Sequence, residues 1–248
     1  MSVQLFLNLL LAHLVGDFYC QTTRLIVGIR TNGFFGGELY VHAFIIFVLS
    51  WLSAWSWSFW WAALAIGVIH VFIDVFFRVY LDGIISIGNH PINTTRHAIW
   101  PFLADQIFHV AIIAFVVWWW QQYNEWSQFP WLQIDWLIAA LVLLLCWIPS
   151  NILIRYILNL IYFPFELMQE SVQHFFRFFR FISPLERLLM VFFISIEQYV
   201  GIGAVIAVVA LFHYGGHNER ERSEYVVIDT LLNIAIAIGC GYLILFFR

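Results

Sequence analysis

Apolar residues fall in seven long runs, at about 3–19, 38–54, 58–78, 100–120, 132–155, 188–212 and 225–246. A helix needs roughly 20 mostly apolar residues to cross a bilayer, and fewer where polar groups near its ends face protein. The runs therefore predict an all-α fold, a polytopic transmembrane helical bundle of about seven spans. Segment 151–182 breaks the pattern, because Arg155, Glu166, Glu170, Arg177 and Arg180 interrupt its phenylalanines. A span there would bury several charges, so an amphipathic interfacial stretch near 164–182 is expected instead. Pro149 and Pro164 should bend the chain, and Ser183-Pro184-Leu185-Glu186 reads as a fresh helix start. Trp118–Trp120 and Trp126–Trp136 read as an aromatic belt around a short loop. The run Val3–Asp17 lacks a basic leader and a small-residue cleavage site, and reads as a retained first helix.

The polar positions inside these runs are few and patterned. Span one contains His13-Leu-Val-Gly-Asp17-Phe-Tyr-Cys-Gln21, and span three contains His70-Val-Phe-Ile-Asp74-Val-Phe-Phe-Arg78. Each sets a His, a carboxylate and a third polar group at i, i+4 and i+8, on one helix face. Span two opens with Glu38 four residues before His42, and span four with Asp105 four residues before His109. Spans 1–2 and 3–4 thus read as two copies of one helical hairpin, related by an axis along the membrane normal. The expected division is 1–122, a duplicated bundle carrying the His/Asp groups, and 123–248, the remaining spans with the amphipathic stretch.

Composition sharpens this picture. The chain is 63% hydrophobic and only 10% charged, with a mean hydropathy of +0.87, which excludes a soluble enzyme. A net charge of −4 gives no basic footprint for nucleic acid. Cys20, Cys146 and Cys240 are scattered and suggest neither a disulfide framework nor a thiolate metal site. Arginine edges orient the bundle. Loops after spans one, three and five hold Arg24, Arg30, Arg78, Arg96, Arg155, Arg177, Arg180 and Arg187, whereas those after spans two and four hold none. The positive-inside tendency then puts the N-terminus outside and the C-terminus inside, with Arg220 and Arg222 arguing mildly against it.

Ionisable groups inside spans are costly and usually functional. In this topology His13, Asp17, Glu38, His42, His70, Asp74, Asp105 and His109 all fall toward one side of the membrane. Histidine with carboxylate suits divalent Zn, Mn or Fe, and inward-facing carboxylates and histidines on four helices match the logic of di-metal bundle sites. The expected ligands are His13, Asp17, His42, His70, Asp74, Asp105 and His109, with Glu38 the weakest member. A metal-bound water would attack a lipid-linked phosphate or ester, with Asp17, Asp74 or Asp105 as base. Gln21 and Arg78 would contact the anionic substrate, while Arg96 reads as an ordinary anchor. The competing reading is a hydrogen-bonded network that locks helices together, since Glu170/His174 and His217/Glu221 share the spacing. A metal-ion or proton transporter and a non-catalytic scaffold or sensor stay open, as does homo-oligomerisation. In the second half, Glu186-Arg187 reads as an exposed helix-start pair and Glu197 as a buried mid-span acid, paired or neutral. Gly201, Gly203, Gly239 and Gly241 are expected to permit close helix contact.

Taken in order, Leu10-Leu11-Ala12-His13-Leu14-Val15-Gly16-Asp17-Phe18, Gln21, His42, His70-x-x-x-Asp74 and Asp105-Gln106-x-x-His109 resemble a bacterial integral-membrane family of unknown function. Leu185-Glu186-Arg187-Leu188-Leu189, Gln198, Gly201-Ile202-Gly203, Glu224-Tyr225 and Thr230-Leu231-Leu232 resemble its second half. The resemblance implies an inner-membrane protein and supplies no activity. Val208-Val209-Ala210 departs from it where a basic residue is usual, and Asp229 where a small one is. A looser likeness, to membrane-bound metal-dependent hydrolases with His-x-x-x-Asp helices, is analogy alone.

Overall fold

The computed structural model describes residues 2–77, 99–124, 133–161, 170–214 and 220–247. Arg78, Arg96, Trp126, Pro164, Glu166 and His217 lie outside the described residues. Among those described, every regular element is helical. The α-helices are α1 (Val3–Leu14), α2 (Thr23–Asn32), α3 (Gly37–Ala54), α4 (Trp60–Asp74), α5 (Ile99–Tyr123), α6 (Ile134–Ile161), α7 (Glu170–Ser195), α8 (Tyr199–Tyr214) and α9 (Arg220–Phe247). Among the described residues, five stretches are long and apolar enough to cross a membrane: Gly37–Ala54, Trp57–Phe77, Ile99–Tyr123, Ile134–Leu160 and Val227–Phe247. A sixth is added if Val3–Tyr19 and Thr23–Phe35, bent by 86°, form one broken span. The chain divides into two compact units, Met1–Leu141 and Val142–Arg248.

In the first unit α1 packs on α3, α3 on α4, α4 on α5, and α5 back on α1, closing a four-helix ring. The inward faces carry Leu5 and Leu9, Ile46 and Ala54, Ala62, Ala63 and Ile66, and Ile113, Val116, Val117 and Trp120, which pack with Phe59 as an apolar core. The same faces, continued along each helix, carry the buried His and Asp residues. Trp120 belongs to this core, 1% exposed against Phe59 and Trp61, whereas Trp118 faces outward as an aromatic belt would. The outer faces are apolar, with Phe44 64%, Phe72 59% and Ile107 66% exposed. Ionisable groups inside and hydrocarbon outside is the arrangement a bilayer imposes on a bundle.

Lipid provides no hydrophobic drive between helices, so close backbone approach matters more. A side chain at Gly67 would stand 3.2 Å from the Ala43 carbonyl oxygen and 3.3 Å from Phe47 Cβ. One at Gly16 would run into Ile46. These two positions let α1 and α4 close on α3, beside His42.

Helix α2 is an element that the apolar runs do not announce. Its N-terminus is capped by Thr22, whose hydroxyl accepts the Leu25 N–H at 3.4 Å, and only Gly28 and Ile29 are buried along it. Ten residues with so narrow an inward face are too short to stand out by periodicity. Glu38 packs over it, since a carbon added to Gly28 would meet Glu38 Cγ at 2.5 Å.

In the second unit the expected span 188–212 is interrupted. Helix α7 ends in a paired cap, with the Glu197 N–H donating to the Ile194 carbonyl at 2.9 Å and the Gln198 N–H to Phe193 at 2.8 Å. Glu197 takes the left-handed conformation, φ 58°, that glycine usually supplies. It is exposed at this break, not buried in mid-span. Past the break runs a short apolar helix, Tyr199–Leu211. Gly201 seats against the Phe193 ring and Gly241 against Ile194, while Gly203 and Gly239 meet nothing close. Pro149 and Pro184 are both carried inside helices. Pro149 cannot donate to the Leu145 carbonyl, and the Ser150 hydroxyl donates there instead at 2.6 Å. Pro184 likewise lies within α7, so Ser183–Glu186 is not a helix start.

Candidate metal centre

All seven expected ligands are buried: His13 4%, Asp17 6%, His42 0%, His70 2%, Asp74 0%, Asp105 4% and His109 3% exposed. Helix α1 brings His13 and, through a π-helical turn over Val15–Tyr19, Asp17. The wider turn is closed by the Cys20 N–H on the Val15 carbonyl at 2.9 Å. Helix α3 brings His42, α4 brings His70 and Asp74 with another π turn directly after it, and α5 brings Asp105 and His109.

The side chains converge. His42 Nε2 and His70 Nε2 face each other at 3.0 Å. Asp17 Oδ1 stands 3.4 Å from the first and 3.3 Å from the second. Asp74 Oδ2 stands 3.6 Å from both. Donors around a tetrahedral ion with bonds of 2.0–2.1 Å are separated by about 3.3 Å. On the other side of the aspartates, His13 Nδ1 is 3.8 Å from Asp17 Oδ1 and His109 Nε2 is 3.9 Å from Asp74 Oδ1. Among the described residues, three sets bring one donor atom from each residue within 4.8 Å of the others, as a metal site requires: His13, Asp17 and His109; Asp17, His42 and His70; and His70, Asp74 and His109.

Asp105 and Glu38 stand apart from these sets. Asp105 Oδ1 is 3.5 Å from His109 Nδ1, and Gln106 donates to its Oδ2 at 3.1 Å. His109 Nδ1 lies 2.8 Å from the Asp105 carbonyl oxygen. Donation there fixes the tautomer and leaves Nε2 with its lone pair toward Asp74. Glu38 packs on α2. Gln21, just past the π turn, is half-buried, and its amide nitrogen makes no hydrogen bond.

The sequence missed a second polar cluster, in the C-terminal unit. Arg187, expected at an exposed helix start, is fully buried and donates to Asn151. Ser183, Arg187, Met190, Val191 and Ile194 share the buried face of α7, and that spacing was the available signal. Asp229 accepts from Asn233 at 3.0 Å and from Ser183 at 3.5 Å. Burial first, and the charge of Asp229 second, push the Glu186 carboxyl up to about 7. Cys146 and Cys240, remote in sequence, share a hydrogen bond in this cluster.

Residues 5–139 match a protein family described as "Protein of unknown function (DUF3307)", a stretch that covers more than half of the chain and holds all seven buried His and Asp residues. No curated protein and no solved structure matches the chain.

Proposed function

We propose that this chain, which belongs to the DUF3307 family of unknown function, is a membrane-embedded metal-dependent hydrolase of a lipid-linked phosphate or ester. The observation that carries the reading is the 3.0 Å approach of His42 Nε2 and His70 Nε2 between oxygens of Asp17 and Asp74. Two carboxylates packed against two imidazoles, out of water, call for positive charge beside them, which a bound cation supplies. A network serving packing alone would satisfy its polar atoms, yet His42 Nδ1 is buried without a hydrogen bond. A bound divalent ion supplies Lewis acidity and an acidified water. Asp105 orients His109, and Gln21 is placed to meet a substrate group.

Two further supports concern placement. The paired His-x-x-x-Asp helices, each with a π turn at or directly after its aspartate, favour two copies of one hairpin, α1 with α3 and α4 with α5. The cluster lies toward the end of the bundle from which α2 leaves with Arg24 and Arg30, and the positive-inside tendency supports a reading in which that end faces the cytoplasm from a bacterial inner membrane.

Elemental analysis of the detergent-purified protein tests this, with His70→Ala and Asp74→Asn alongside. Stoichiometric Zn, Mn or Fe is expected in the wild type and at least about tenfold less in variants of unchanged helicity. The loaded protein should then hydrolyse phospholipid or polyprenyl-phosphate substrates. Absence of metal after reconstitution with Zn²⁺, Mn²⁺ and Fe²⁺ would sink the proposal.

A further inference from the structure

Both aspartates face two sets of histidines. Asp74 Oδ2 lies 3.6 Å from His42 and His70, while its Oδ1 lies 3.9 Å from His109. Asp17 Oδ1 lies 3.4 and 3.3 Å from His42 and His70, and 3.8 Å from His13. The distances to the aspartate oxygens sort the histidines into a His42/His70 pair and a His13/His109 pair, whose rings stack with centroids 5.0 Å apart, and the His70 and His109 rings, 4.1 Å apart, mark where the two pairs adjoin. Each pair is flanked by both carboxylates. Exchanging the two hairpin copies maps His13 onto His70, Asp17 onto Asp74 and His42 onto His109. That exchange carries one histidine pair onto the other, so whatever one pair binds the other is built to bind.

On these grounds, and resting on the metal reading above, we infer that the centre holds two divalent ions bridged by Asp17 and Asp74, one on His42 and His70 and the other on His13 and His109. Each ion takes two imidazoles and two carboxylate oxygens, a set for Zn, Mn or Fe that leaves positions for solvent. Paired ions in such centres sit about 3.5–4 Å apart, a spacing that stabilises both the attacking and the leaving oxygen of an in-line phosphoryl displacement. That geometry suits a phosphate ester as substrate, the class proposed for this centre. In its hydrolysis a water oxygen bonds to phosphorus, the bond from phosphorus to the leaving alkoxide breaks, one proton of the water ends on that alkoxide and the other stays with the phosphate.

The test counts ions in the full-length protein loaded with Mn²⁺ and records its electron paramagnetic resonance. Two ions per chain with an exchange-coupled spectrum are expected. His42→Ala and His13→Ala should each retain about one ion and show an isolated-ion signal. The wild-type spectrum is decisive by itself, should either variant fail to fold. One ion per chain with an isolated-ion spectrum in the wild type would overturn the paired centre and leave the metal reading standing. No ion at all would remove both. Turnover of a carboxylic-ester lipid, with none of its phosphate-ester counterpart, would overturn the substrate class.

Discussion

His109 shows what one side chain gains from its neighbours. With Nδ1 2.8 Å from the Asp105 carbonyl oxygen and 3.5 Å from the Asp105 carboxylate, its Nε2 is aimed at Asp74. Partners of this kind typically tune metal affinity about 10–100-fold. Asp105→Asn should therefore keep the fold and still bind metal, with affinity reduced about 10–100-fold in a chelator-buffered titration. Unchanged affinity would show that Asp105 does nothing through His109, and complete loss of metal would make it a ligand. The sequence marked His109 and Asp105 as a pair because they lie four apart on one helix face. It had no means of separating ligand from orienting partner, since that depends on which ring nitrogen the helix backbone engages.

Elements set the approach that residues exploit. A carbon added at Gly67, one turn before His70, would stand 3.2 Å from the carbonyl of Ala43, the residue after His42. A leucine there would force α4 away from α3, an overpacking that typically costs about 1–3 kcal/mol. Gly67→Leu should lower thermal stability in detergent and reduce bound metal by at least about fivefold, more than the change in helicity would suggest. Full metal content in this variant would show that helix spacing does not govern the site. Helix breaks were the least legible elements. Glu197 ends α7 although nothing in the apolar run 188–212 forces a stop. The paired cap and the fit of Gly201 against Phe193 decide it, and both are local geometry. The same limitation hid Arg187, whose burial depends on α7 running through Pro184.

At the scale of the whole molecule, the buried ionisable groups of the first unit occupy only part of its interior. Beyond the His/Asp cluster the ring is filled mostly by Leu5, Leu9, Ile46, Ile66, Ile113, Val117 and Trp120, with the neutral polar side chains of Gln4, Asn8 and Ser50 also buried there. A metal-ion path would need charged groups through that half, and among the described buried residues there are none, which weighs against the transporter reading. Proteoliposomes with an entrapped zinc-sensitive dye should show uptake no faster than empty liposomes. Uptake abolished by His70→Ala would reverse this conclusion.

The sequence by itself determined the helical class, the membrane setting, and the seven buried His and Asp residues, because hydropathy and a spacing of four are properties of a single helix. Only the tertiary structure decided which of them stand as donors and which behind, that Glu38 belongs to α2, that Arg187 is buried and Glu197 exposed, and where the spans break. Those outcomes depend on how closely helices approach and on which backbone groups find partners, and neither is encoded in the period of one segment.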